Sequence, residues 1–202
     1  MQSERLDLFT LNKAEYAATR RPRLVDVDAA WFLCLDGSGH PSGQEFQEGL
    51  ESLYSCAYGM RAASKATGRD YAISKLEALW HLDIGYFDFA SAPHHAWNWT
   101  LILRTPDTLG ENDLAPVQEA LLAKGRPKAV ARVGFLGFEE GRCAQILHVG
   151  PYDQEGPSLE ALNAFIEKKG LTVVGRHHEI YLSDPRRTAP EKLKTIIRLP
   201  VI

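Results

Sequence analysis

Glu179 and Tyr181 stand two residues apart in the apolar run HEIYL. A strand repeats every two residues, so their side chains share one face, and Ile180 and Leu182 take the other. If the shared face looks inward, Glu179 is a desolvated carboxylate. Its pKa then rises, or it recruits a cation or a hydrogen-bond donor. The Tyr181 phenol beside it is such a donor. If the run is an edge strand, Glu179 sits in water. Period alone leaves both readings open. The run KLEALWHLD offers a second carboxylate, Glu77, and an aromatic, Trp80. Their odd spacing puts them on opposite faces of an ideal strand. Glu77 is therefore expected at a solvent or rim position, not as a second catalytic carboxylate.

Trp97 and Trp99 share a face of the alternating run WNWTLILR. Alternating tryptophans are usually core residues. A pocket wall is the rarer reading, favoured here because Trp80 and Tyr181 hold matching places in a repeat. Aromatic walls around one carboxylate attract flat lipophilic cations. Tyr152, in HVGPYD, lies on a turn, and its phenol either enters a cleft or is a plain turn tyrosine. The seven histidines form no HxxxH or HExxH pattern. The pairs His94-His95 and His177-His178 split between opposite faces of a strand. No metal site and no cofactor are expected. Gly37-Ser38-Gly39 is too short for a phosphate loop, and no GxSxG elbow is present.

The elements that must position these residues follow from periodicity. Strands are expected over residues 24–27, 31–35, 71–83, 85–90 and 97–104, then 132–138, 142–149, 171–175, 178–182 and 194–200. Phe46, Leu50, Leu53, Tyr54, Ala57 and Met60 recur at helical spacing, behind a capping box of Ser42 and Glu45. Further helices are expected over 111–124 and around Leu159, Leu162, Phe165 and Ile166. Glu139, Glu140 and Gly141 read as a hairpin turn. The halves repeat: WFLCLDG leads through a turn to GLESLY and then SKLEALWHLD, as AQILHVG leads to LEALNAFI and then RHHEIYLSD. The expected fold is α+β, with two tandem strand–helix–strand–strand modules, antiparallel sheets, a pseudo-twofold relation and a ligand cleft between the modules. One domain spans residues 1–202. It divides into an extension over 1–23, a first module with its linking helix over 24–128, and a second module over 129–202.

Composition narrows the partners. The chain has 23 basic and 26 acidic residues, a net charge of -3. With no excess of positive charge, nucleic-acid binding is not expected. No apolar run approaches the length of a membrane span, and the charged N-terminus MQSERLDLFT lacks a signal core. A cytoplasmic protein is expected. Its three cysteines, Cys34, Cys56 and Cys143, are far apart and read as buried reduced thiols. The sequence does not separate a monomer from a homodimer.

In order and spacing, LVDV, LDGSGHP, FQEGLESLYSCAYGM, SKLEALW, WNWTLILRTPD, HVGPYDQEGPSLEAL and HEIYLSDPRR together resemble the GyrI-like small-molecule-binding proteins. These are relatives of the effector domains of multidrug-responsive regulators. The resemblance runs from about Leu24 to Ile202. It implies that the family's acidic residue facing the ligand falls on Glu179, and its aromatic companion on Tyr181. No helix-turn-helix segment is read ahead of the domain, which weighs against a transcription factor. The long first half, SKLEALW and WNW look more like the stand-alone branch. That branch includes cyclopropyl hydrolases, which add water to the strained ring of DNA-alkylating natural products. On this reading Glu179 is the general base, or stabilises positive charge, and Tyr152 or Tyr181 donates to the carbonyl oxygen. Trp80, Trp97 and Trp99 line the ligand, with His40, Tyr54 and Tyr58 from the matching segments as further candidate contacts. Two alternatives use the same fold: non-catalytic sequestration of flat, often cationic drugs, and inhibition of a macromolecule.

Overall fold

The computed structural model describes residues 5–82, 93 and 96–202. The fold is α+β, and the strand pairs described below are antiparallel. The chain forms two compact units. One comprises Met1–Leu11, Ala30–Ser74 and His81–Phe138, and the other Asn12–Ala29, Lys75–Trp80 and Glu139–Ile202. In chain order the elements are α1 (Leu8–Leu11), β1 (Arg23–Val27), β2 (Ala30–Ser38), α2 (Gln44–Ala66), β3 (Leu76–Leu82), β4 (Trp97–Thr105), α3 (Glu111–Ala123), β5 (Gly134–Phe138), β6 (Gly141–Val149), α4 (Gly156–Lys168), β7 (His177–Tyr181) and β8 (Lys194–Pro200). The order β2–α2–β3–β4 recurs as β6–α4–β7–β8. The strand expected over 85–90 and the pair His94-His95 lie outside the described residues.

In the first unit β2 pairs with both β4 and β5. Helix α2 packs on β2 and β4 through Phe46, Gly49, Leu53, Cys56, Ala57 and Met60, which are buried at helical spacing. Trp99 explains two glycines in this layer. A Cβ on Gly37 would lie 2.1 Å from the Trp99 ring, and one on Gly49 would lie 3.0 Å from it. Helix α2 starts without the expected capping box: its N-cap is Gly43, and Ser42 instead bonds His40 Nδ1 at 2.7 Å.

In the second unit the pairings β1·β6, β6·β8, β8·β7 and β7·β3 build a five-strand sheet. Helix α4 lays Leu162 and Ile166 on Ala144, Ile146, Ile197 and Leu199. Two expectations change here. Residues 139–141 do not close a hairpin, because β5 pairs with β2 while β6 pairs with β1 and β8. The segment over 171–175 makes only a single bridge, Val173 to Val201. Val174 N–H donates to the Pro200 carbonyl, but Pro200 has no N–H to donate back, so a ladder cannot extend.

Candidate functional site

Strand β7 sends alternate side chains to two different environments. His177, Glu179 and Tyr181 take one face with their partners Trp80, Ala78 and Leu76 on β3. His178 takes the other, in a row with Arg198 on β8 and Gln145 on β6.

On the first face, His177 Nε2 lies 3.1 Å from Glu179 Oε1. The Trp80 indole N–H donates to the Tyr181 hydroxyl at 3.3 Å. The rings of Tyr152 and Tyr181 meet edge to face, with centroids 5.6 Å apart. Glu155 completes the group: one ligand atom each from Glu155, His177 and Glu179 lies within 4.8 Å of the others. The Glu155 carboxyl is buried, and its Oε1 has no hydrogen-bond partner among the described residues. Burial, and then the charge of Glu179, push its pKa up to about 10. Glu155 is therefore a neutral acid at pH 7. Burial and the Glu179 charge also raise both phenols, Tyr152 to about 12 and Tyr181 well above the usual tyrosine range. These phenols stay protonated and serve as hydrogen-bond donors.

A buried imidazole holds the loop that delivers Tyr152 and Glu155. His148 Nε2 lies 3.0 Å from the Pro151 carbonyl, and Nδ1 lies 3.1 Å from Ser158 Oγ. The carbonyl can only accept, so Nε2 carries a proton and donates to it. Gly150, at φ 148°, fits beneath this ring, since a Cβ there would meet His148 Nε2 at 3.2 Å. The clamp spans the turn before α4 and fixes where Glu155 enters the cluster.

The opposite face holds a second set of charges. Arg198 donates to Gln145 Oε1 at 2.9 Å, to Glu140 Oε2 at 2.7 Å and to the Glu15 carbonyl at 2.7 Å. His178 pairs with Glu77 at 3.0 Å and Glu140 at 2.9 Å as ions, not as well-aligned hydrogen bonds. The Tyr16 hydroxyl donates to Glu77 at 2.9 Å. Burial opposes charge on His178, but Glu140 and Glu77 outweigh it and raise its pKa to about 9. Burial likewise works against the Glu140 carboxylate, yet His178 and Arg198 hold it down at about 2. Glu77 corrects the sequence reading. It does face away from Trp80, but that face is covered by Tyr16, and Glu77 is 1% exposed.

The structure thus brings Trp80, Tyr152, Glu179 and Tyr181 together in the second unit. The other candidates lie in the first unit. Trp97 stacks obliquely on His40, with centroids 5.7 Å apart. Tyr54 and Tyr58 stack on each other along α2 at 6.2 Å, and Tyr58 is exposed. Trp99 is 0% exposed and packs edge-on against Phe46 at 5.2 Å, so it is part of that unit's core.

Glu155 was absent from the sequence reading, and His177 entered it only as half of a histidine pair, not as a site residue. His177 was legible, because period two puts it on the face of Glu179 and Tyr181. Glu155 was not, because an acidic residue ahead of Gly-Pro reads as an ordinary helix start. The expectation of no metal site did not weigh these three residues together. It rested on local spacing, whereas the fold joins a helix start to a strand and assembles Glu155, His177 and Glu179. The three cysteines are free.

A family model described as the GyrI-like small molecule binding domain matches residues 114–202. A conserved protein from Listeria innocua superposes with a TM-score of 0.89 at 38% identity, covering 98% of this chain and 100% of that one. The chain belongs to the GyrI-like small-molecule-binding family. A hydrolase from Listeria innocua is similar to this GyrI-like chain at 38% identity and a TM-score of 0.88, with the same coverage. The C-terminal domain of EcmrR shares the fold at 12% identity and a TM-score of 0.58, over 90% of this chain and 97% of that one. A comparison with curated proteins finds no match. Among the described residues of this GyrI-like protein, no helix is long and apolar enough to cross a membrane.

Proposed function

We propose that this GyrI-like protein binds flat aromatic or cationic small molecules at the Glu155–Glu179 cluster. We further propose that it hydrolyses the cyclopropane ring of DNA-alkylating natural products as a cytoplasmic detoxification step. The observation that carries the reading is the pair of unlike carboxyl groups. Glu155 is buried and held neutral beside Glu179. Carboxyl groups in unlike surroundings can divide acid and base roles, and Glu155 is the more buried of the two. The hydrolase named among the similar Listeria proteins supports an enzyme.

In the proposed reaction Glu179 takes a proton from water, and the water oxygen forms a bond to a cyclopropane carbon. The breaking ring bond sends its electron pair through the conjugated dienone to the carbonyl oxygen. That oxygen takes a proton from Glu155 and leaves as a phenol. Tyr181 and Tyr152 donate hydrogen bonds to it, and Trp80 sets the position of Tyr181 through its N–H. Relief of ring strain and aromatisation lower the demand on the protein to positioning and proton transfer. Sequestration without turnover is the second reading, favoured by the family's description as a binding domain.

The experiment is product analysis with a cyclopropane-bearing dienone alkylator. The wild type is expected to yield the water adduct, and Glu179→Gln to do so roughly 100-fold more slowly. Saturable binding of the alkylator with no water adduct leaves sequestration.

A further inference from the structure

The geometry points to a divalent transition-metal site of the zinc class at Glu155, His177 and Glu179. Two carboxylate oxygens and one imidazole nitrogen lie within 4.8 Å of one another. Ligand atoms about 2.0–2.2 Å from a shared ion lie within such a span, and this mixed O/O/N set suits borderline cations such as zinc. The three donors come from two elements: Glu155 from the start of α4, and His177 and Glu179 from one face of β7. His177 is 5% exposed and Glu155 is 7% exposed, so bulk water solvates neither well.

A second observation is independent of the clustering. Glu155 Oε1 is buried without a hydrogen-bond partner among the described residues, although it belongs to a group of potential ligands. A buried carboxyl oxygen left this way is costly unless a partner completes it, and a divalent ion taking the place of the acid's proton is such a partner. On the other face of β7 the corresponding work is done by Arg198, which meets Glu140 at 2.7 Å. No arginine or lysine is paired with Glu155 among the described residues. His177 Nε2 already points at Glu179 Oε1, at 3.1 Å, so an ion entering the cluster replaces that contact and gains three ligands. Three protein ligands leave a fourth position of a tetrahedral ion for water or another small ligand.

This inference does not depend on the hydrolytic reading and is tested without any organic ligand. The full chain, stripped with a chelator, is titrated with zinc by calorimetry and with cobalt by visible absorption. One equivalent is expected to bind with micromolar or tighter affinity, and cobalt to develop absorption bands in the visible range. His177→Gln and Glu155→Gln, each checked for folding by circular dichroism, are expected to weaken zinc at least 30-fold. Glu167→Gln, an exposed change on α4, is expected to leave it unaltered. If His177→Gln does not fold, Glu155→Gln alone decides. Binding well below one equivalent, or equal zinc affinity in wild type and both ligand variants, overturns the site and leaves a proton as the only cation in the cluster. Product analysis carried out with chelator present keeps the two readings apart, since hydrolysis that persists in a zinc-silent protein refutes the metal alone.

Discussion

His177 and His178 are neighbours on one strand, yet they belong to clusters of opposite design. Around His178, two carboxylates meet two cations, and the charges balance within a sealed layer. Glu77 and Glu140 are each about fully buried, but His178 and Arg198 balance their charge and Tyr16 donates to Glu77. Around His177, two carboxylates face one imidazole, and a buried oxygen of Glu155 has no hydrogen-bond partner among the described residues. The comparison teaches that burial of charge is not itself a mark of function. What distinguishes the two is the balance of charge: each buried carboxylate around His178 has a cationic partner, and Glu155 is paired with no arginine or lysine among the described residues. Both lose stability as pH rises, over different windows. His178 is raised to about 9, so its stabilisation is complete below the ordinary histidine value of 6.5 and is lost as pH rises through about 9.

The largest expected effect breaks the balanced cluster. Arg198→Met leaves Glu140 buried without its guanidinium, and should cost about 3–5 kcal/mol in denaturant unfolding. Dye binding by the remaining folded protein should change less than about twofold. A loss under about 1 kcal/mol would make the network dispensable and erase the contrast.

At the unbalanced cluster the substitution stabilises, by an amount that builds with pH. Glu155 has a folded pKa of about 10, well above its ordinary value of 4.5. The folded state therefore holds an extra proton across that window, and stability falls as pH rises. The slope is up to about 1.4 kcal/mol per pH unit. Glu155→Gln mimics the neutral acid and removes that slope. Its advantage over wild type should grow between pH 5 and 9 in parallel unfolding curves. Two curves that stay parallel would mean that Glu155 is not held neutral by the fold.

The smallest effect is at Tyr181. Tyr181→Phe deletes one hydrogen-bonding hydroxyl and the acceptor of the Trp80 N–H. The loss should be about 0.5–1.5 kcal/mol, at most about tenfold in turnover. A loss as large as that of Glu179→Gln would move the central proton transfer onto the phenol.

Much of this arrangement was legible before the structure. Alternation along HEIYL placed Glu179 and Tyr181 on one face, and the repeat matched Trp80 to that neighbourhood; Trp80 and Tyr181 are hydrogen-bonded. What was not legible depends on layers. Glu77 was assigned to water because alternation tells which face a residue takes, not what covers it. The cover is the segment carrying Tyr16, which has no strong periodic signal of its own. Glu155 was invisible for a related reason: its role arises from a loop clamped by His148 and not from spacing along the chain. Trp99 shows the limit of aromatic counting, since its ring fills the space above Gly37 and Gly49.

The central claim is that the face of β7 bearing Glu179 takes the ligand while the face bearing His178 holds the fold. Titration of a rhodamine-like cationic dye into wild type and Glu179→Gln, followed by unfolding of both, tests it most directly. Wild type should bind at micromolar affinity, roughly -8 kcal/mol. Glu179→Gln should stay folded and bind more weakly by about 1–3 kcal/mol, the range for a charge-assisted contact. A folded Glu179→Gln protein with undiminished dye affinity would contradict the claim.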